Sequence, residues 1–169
     1  MDIRALRADD DRSQFRSGDP DLDRFFLKYA GQNQFRHHIG TTYVAVEGGR
    51  VVGFATIAPG QMESESLSPS LGRRLPNYPL PVLRLARLAI DQAHRGLGLG
   101  KELLLAVFEL ALAMSDKYGC VGVIVDAKPD AVKFYSHFGF IEIVAAGGAM
   151  HAAPSPVPMF ISVSKLNRA

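Results

Sequence analysis

Val82-Leu83-Arg84-Leu85-Ala86-Arg87-Leu88-Ala89-Ile90 leads through Asp91-Gln92-Ala93-His94 into Arg95-Gly96-Leu97-Gly98-Leu99-Gly100-Lys101, and from there into the most apolar helix-like segment of the chain, Lys101 to Tyr118. A strand, a glycine loop and a helix in that order make a phosphate cradle. Glycines let successive backbone N–H groups approach an anion, and a helix N-terminus adds roughly half a positive charge aimed at the same spot. A diphosphate-bearing ligand is the leading expectation, with a flexible turn ahead of a helix as the plain alternative. Spacing narrows the choice of loop. A dinucleotide fingerprint G-x-G-x-x-G needs glycine where Lys101 or Leu103 stands, and a P-loop needs glycine at Arg95 and a hydroxyl at Glu102. Neither requirement is met. The remaining pattern is R-x-x-G-x-G, on Arg95, Gly98 and Gly100.

Within the strand, Arg84 and Arg87 stand three apart, so regular alternation sends them to opposite faces, while Leu83, Leu85 and Leu88 break the apolar pattern. A bulge near Ala86 reconciles them and frees backbone groups for a ligand. A fully buried strand carrying two arginines near its ends fits equally well.

Further out, Asp19-Pro20-Asp21-Leu22-Asp23 has helix-start chemistry, with Leu22, Phe25, Phe26 and Tyr29 following at helical spacing. Thr41–Val46 and Val51–Ala58 read as strands joined by a hairpin turn at Gly48-Gly49. A polar loop runs from about Pro59 to Pro79. After the long helix, Gly119 reads as the residue beyond its C-terminus, and Val121–Val125 as a strand buried on both faces. Pro129 starts a short helix carrying Phe134, Tyr135 and Phe138, ended by Gly139, and Phe140–Val144 and Met159–Ser164 read as closing strands. The order β-α-β-β-β-α-β-α-β-β implies an α/β protein with a mixed sheet and helices packed on it.

A chain of 169 residues, 47% hydrophobic and 21% charged, fits one globular domain, residues 1–169. No apolar run is long enough for a membrane span, and Met1-Asp2-Ile3-Arg4 lacks a signal-peptide core, so a cytoplasmic location and no membrane partner are expected. Cys120 sits alone in an apolar run and reads as a small buried hydrophobe. The net charge of +2 is too mild to announce a nucleic-acid binder by itself.

Three blocks, Leu85–Asp91, Arg95–Lys101 and Phe134-Tyr135-Ser136-His137-Phe138-Gly139-Phe140, together resemble the GNAT acetyltransferase superfamily, with R-x-x-G-x-G as its coenzyme A pyrophosphate loop. A fourth, Phe15-Arg16-Ser17-Gly18-Asp19-Pro20-Asp21-Leu22-Asp23-Arg24-Phe25-Phe26, resembles the N-terminal signature of GNAT toxins from bacterial toxin–antitoxin modules, which acetylate the amino acid on charged tRNA. Ser17 stands where many relatives are expected to carry cysteine.

The resemblance implies a GNAT fold, a single mixed and mostly antiparallel sheet with a bulged central strand. It also implies acetyl-CoA as acetyl donor, no metal, an aminoacyl-tRNA acceptor and an antitoxin partner of the small ribbon-helix-helix kind, with homodimer formation left open. Leu88, Ala89 and Ile90 would pair with the pantetheine arm, and Arg95, Gly96, Leu97, Gly98, Gly100 and Lys101 would hold the pyrophosphate, with Phe134 also on the coenzyme. Tyr135 would be the general acid. A phenol with a reference pKa of about 10 stays protonated at neutral pH and can donate to a departing thiolate of reference pKa about 8.5. Because Phe134 and Phe138 lie four apart and are expected to face the core, Tyr135 should point away from that stripe. His94 and His137 are the candidate bases, each more simply read as a solvated or capping group. An α-amine, with a reference pKa near about 7.7 to 8.0, has little need of a base. Lys28, Arg36, Arg73, Arg74, Arg84 and Arg87 are the candidate tRNA contacts. Two other readings stand beside this one: a GNAT enzyme for a small amine or protein N-terminus, and a non-catalytic acyl-CoA-binding module.

Overall fold

Asp19 starts the first helical stretch. Its Oδ1 accepts the amides of Asp21 at 2.9 Å and Leu22 at 3.3 Å, and Pro20 occupies the first turn, where its missing N–H costs nothing. The computed structural model describes residues 1–67, 75–76, 78–143 and 156–166. The helical path is α over Pro20–Arg24 and Ala30–Gln32 but π over Phe25–Tyr29 and Asn33–His37. In the first π turn the Ala30 amide donates to the Phe25 carbonyl. The inward face therefore returns at the fifth residue: Phe25, Phe26 and Ala30 are buried and Tyr29, expected on that face, is 43% exposed. His38 closes the stretch in the left-handed region, at φ 55°.

Strand β1 (Asp2–Ala5) pairs antiparallel with β2 (Thr41–Glu47), and β2 with β3 (Arg50–Met62) through the hairpin. Gly48 and Gly49 take φ 58° and 77°, as a turn that follows the strand twist requires. β3 runs four residues past the expected end. Gly60 is half-buried between exposed Pro59 and Gln61, and Met62 is buried, so the alternation of a strand continues through a segment that Pro59 marked as loop. β4 (Leu80–Ile90) is the central strand. Leu85 and Ala89 are buried, whereas the consecutive residues Ala86 and Arg87 are both exposed, so the expected break in alternation falls at Ala86.

The helix Leu99–Lys117 ends as the glycine signal implies, with Gly119 at φ 108° and its amide donated to the Met114 carbonyl at 2.9 Å. β5 (Gly122–Ala127) begins beside β4, since the Val121 amide donates to the Pro81 carbonyl at 2.9 Å; start meets start, and a helical crossover joins two parallel strands. β6 (Ile141–Glu142) is shorter than the expected closing strand, with residues 144–155 outside the described ones. β7 (Val157–Ser162) pairs antiparallel with both β5 and β6 and gives way to a helical turn, Val163–Leu166, where strand was expected. Among the described residues, seven strands form one mixed sheet in the order β1-β2-β3-β4-β5-β7-β6. No described helix is long and apolar enough to cross a membrane.

The chain packs as two compact units, Met1–Ala58 with Leu85–Glu109, and Pro59–Arg84 with Leu110–Ala169. The first is built on phenylalanines. Phe26 stacks on Phe54 with ring centroids 4.3 Å apart, and Phe15 meets both edge-on at 4.9 and 5.5 Å. Leu6, Val44, Val51 and Ala89 complete that core. The second unit packs Met62, Leu67, Leu80, Val82, Ile124 and Phe160.

Candidate functional site

In the first unit, the glycine loop adopts the geometry its sequence demands. Gly96 and Gly98 take φ 79° and 81°, where an L side chain is strained, and a Cβ built on either meets nothing within 4 Å. The glycines therefore serve the backbone path, and the space beside them is open to a ligand. Buried Leu99 anchors the helix start, and the Gly98 carbonyl accepts the Glu102 amide at 3.1 Å to close its first turn. The amides of Leu99, Gly100 and Lys101 consequently have no acceptor within the helix and point back toward the loop. Amides left open at a helix start are a feature able to receive an anion, the class of ligand expected from the sequence. Leu88 and Ile90, at the end of β4, are half-buried, and Ala89 is buried.

The residues just before the loop carry a cluster that sequence reasoning passed over. Asp91 is 2% exposed and caps the 3-10 turn Gln92–His94. Its Oδ1 accepts the Arg16 amide at 3.0 Å; its Oδ2 accepts the Ala93 amide at 3.2 Å and lies 3.1 Å from His94 Nδ1 and 3.6 Å from the Arg50 guanidinium. Burial by itself raises the Asp91 pKa, but the Arg16 and Ala93 amides, His94 and Arg50 together outweigh it and hold the carboxyl below its ordinary value. The Gln92 amide donates to the Arg16 carbonyl at 2.8 Å, and the Arg95 guanidinium to the Ser17 carbonyl. An aspartate set between a strand and a short turn is the capping signal that points to this cluster in the sequence. His94, a candidate base, is thereby committed to Asp91. Ser17 is buried and donates to Asp23 Oδ1 at 2.7 Å, so a hydroxyl fills the expected cysteine position with a hydrogen bond.

In the second unit, Tyr135 lies in the helix Val132–His137 and is 5% exposed, whereas Phe134 and Phe138 are only half-buried. This reverses the expected facing. Gly139, at φ 102°, turns the chain so that Phe140 packs edge-on against Tyr135 at 5.3 Å, with Phe134 on another side at 5.2 Å. Burial raises the Tyr135 phenol to about 12. His137, the other candidate base, is exposed and edge-on to Phe138. Burial likewise raises the Cys120 thiol, in keeping with a packing role.

Lys28 and Arg36 are exposed in the first unit, where Arg87 places its guanidinium 3.7 Å from the Phe25 ring centre. Arg84, in the second unit, pairs with Asp126 at 3.2 Å. Arg73 and Arg74 lie outside the described residues.

Comparison with known proteins agrees with these features. The acetyltransferase (GNAT) domain family matches residues 38–142. The tRNA-acetylating toxin of Mycobacterium tuberculosis is 35% identical over 132 residues, 78% of each chain. Among solved structures, AtaT complexed with acetyl-methionyl-tRNAfMet superposes with a TM-score of 0.85 at 25% identity, over 99% of this chain and 97% of that one. AtaTR bound with AcCoA superposes with a TM-score of 0.78 at 25% identity, over 99% and 96%. With the family match covering β2 to β6 and a relative of this identity over most of both chains, the chain belongs to the GNAT acetyltransferase family.

Proposed function

We propose that this chain is an acetyl-CoA-dependent N-acetyltransferase toxin that acetylates the α-amine of an aminoacyl-tRNA and so blocks translation. One observation carries the reading: an open, left-handed glycine loop running into the 19-residue helix Leu99–Lys117, in a chain similar over 78% of its length to a tRNA-acetylating toxin. Residues 1–169 act as one catalytic domain. Acetyl-CoA supplies the acetyl group as an activated thioester. The backbone of Leu88, Ala89 and Ile90 pairs with its pantetheine amides as an added strand would. The amides of Arg95, Gly96, Leu97, Gly98, Gly100 and Lys101 take its pyrophosphate, and Phe134 packs against the coenzyme.

In the reaction the acceptor nitrogen attacks the thioester carbonyl, an N–C bond forms, the C–S bond breaks, the nitrogen gives up a proton and the sulfur needs one. Tyr135 supplies the sulfur's proton, and the proton released by the nitrogen passes to solvent, from which the phenolate is reprotonated. With a pKa of about 12 the Tyr135 phenol stays a hydrogen-bond donor at every physiological pH. The ester beside the α-amine of an aminoacyl-tRNA lowers it below the reference value of about 7.7 to 8.0, so much of it is already neutral near neutral pH and neither His94 nor His137 is required as base. Lys28, Arg36, Arg73, Arg74, Arg84 and Arg87 meet the tRNA phosphates. The partner in the cell is a small ribbon-helix-helix antitoxin.

The test is incubation with labelled acetyl-CoA and total charged tRNA. Label is expected on the aminoacyl end of tRNA and lost after deacylation; unlabelled tRNA alongside a labelled small amine or protein N-terminus would replace this reading with another GNAT activity.

A further inference from the structure

We propose that Asp91 is a positioning residue, which locks the segment Arg16–Gly18 onto the residues leading into the glycine loop and thereby sets the loop for the coenzyme pyrophosphate. The inference rests on the reading of that loop as an acetyl-CoA seat. Its support is geometric. Asp91 is held to the sheet by its own amide, which donates to the Val52 carbonyl at 2.9 Å. Its carboxylate then gathers the Arg16 amide, the Ala93 amide and the His94 ring, all within 3.2 Å. Two further contacts bind the same segment to the loop's approach, the Gln92 amide on the Arg16 carbonyl and the Arg95 guanidinium on the Ser17 carbonyl. Arg95 thus spends its side chain on the N-terminal segment and leaves its amide for the ligand.

Gly18 shows how close the approach is. It takes φ 94°, and a Cβ there would lie 2.4 Å from Gln92 Nε2 and 3.3 Å from the Arg95 guanidinium. A side chain at Gly18 displaces the ends of the Gln92 and Arg95 side chains and strains the backbone at its φ of 94°. Removing the Asp91 carboxylate has the opposite cause and the same result: the Arg16 and Ala93 amides lose their shared acceptor, and the approach to Gly96 loses its brace. The N-terminal block and the glycine loop, far apart in sequence, are in this sense one device.

The experiment compares wild type with Asp91→Asn and Gly18→Ala in steady-state acetyl transfer, with calorimetric titration of coenzyme A. Asn keeps one acceptor but presents N–H groups where Ala93 donates. Both variants are expected to raise KM for acetyl-CoA and the coenzyme A Kd about tenfold, Asp91→Asn by losing one charge-assisted hydrogen bond and Gly18→Ala by straining the backbone where the segment meets Gln92 and Arg95, with kcat at saturating donor and KM for the acceptor within about twofold of wild type. A purely structural role would instead lower the active fraction, and so apparent kcat, with donor KM unchanged; that result in a folded variant overturns the inference. If Asp91→Asn does not fold, Asp91→Glu decides: a carboxylate displaced by one methylene is expected to raise donor KM and coenzyme A Kd in the same way, and unchanged values overturn the inference. Wild type that fails to bind coenzyme A would sink the donor reading itself, whereas wild-type binding with unaltered variants sinks only the role of Asp91.

Discussion

Tyr135 shows what a single residue owes to its surroundings. Helical spacing alone turned it outward because Phe134 and Phe138 claim the apolar stripe, but the left-handed Gly139 folds Phe140 back over it, and burial takes the phenol to about 12. Tyr135→Phe is expected to lower kcat by about 100-fold or more, the usual weight of a general acid, with coenzyme A affinity retained in calorimetry. Undiminished turnover would remove Tyr135 from the mechanism. The raised pKa also has a stability sign. The folded state prefers the protonated phenol, so this contribution is fully present below the unfolded value of about 10 and is lost as pH rises toward about 12. In an alkaline titration followed by tyrosinate absorbance, Tyr135 should contribute a late component, and Tyr135→Phe should abolish it. A wild-type curve identical in shape to the variant's would contradict the burial.

At the scale of elements, two glycines of equal appearance in sequence do different jobs. Gly48 sits in the hairpin turn at φ 58° with open space around it, so Gly48→Ala should cost only backbone strain, about 1 kcal/mol. Gly122 begins β5 where β7 crosses close: a Cβ would lie 2.1 Å from the Ile161 carbonyl oxygen and 2.5 Å from the Phe160 ring. One contact is backbone and the other a core side chain, so neither yields cheaply. Gly122→Ala should therefore cost about 3 kcal/mol or more in urea unfolding. Equal losses for the two variants would mean that β5 and β7 do not approach this closely. The hairpin, the long helix and its Gly119 terminus were legible because local turn and capping chemistry decides them. The length of β3 was not, because Pro59 is a breaker only where its N–H is needed, and burial of Met62 on the far side carries the strand through.

At the scale of the molecule, the phenylalanine cluster carries the first unit. Phe54 is fully buried and touches Phe15, Phe25 and Phe26 by ring contact, so Phe54→Ala should destabilise by about 3 to 5 kcal/mol, read from denaturant midpoints. Charge acts over the same scale. If the basic side chains meet tRNA phosphates, log affinity falls linearly with log salt, and removing exposed Lys28 and Arg36 should each reduce that slope by about 1. A slope unchanged by both substitutions would move the tRNA surface elsewhere. What the sequence determined by itself was the strand, glycine loop and helix, and with them an anion cradle, because backbone conformation at Gly96 and Gly98 and the dipole of a helix start are local properties; acetyl-CoA as its occupant came from the family resemblance of R-x-x-G-x-G. The tertiary structure alone decided which side chains lie inside: it buried Tyr135, engaged Arg87 with Phe25 and Arg84 with Asp126, and set Asp91 under the N-terminal segment. Those outcomes depend on contacts between residues as far apart as Arg16 and Asp91, and no local pattern encodes which distant amide a buried carboxylate will meet.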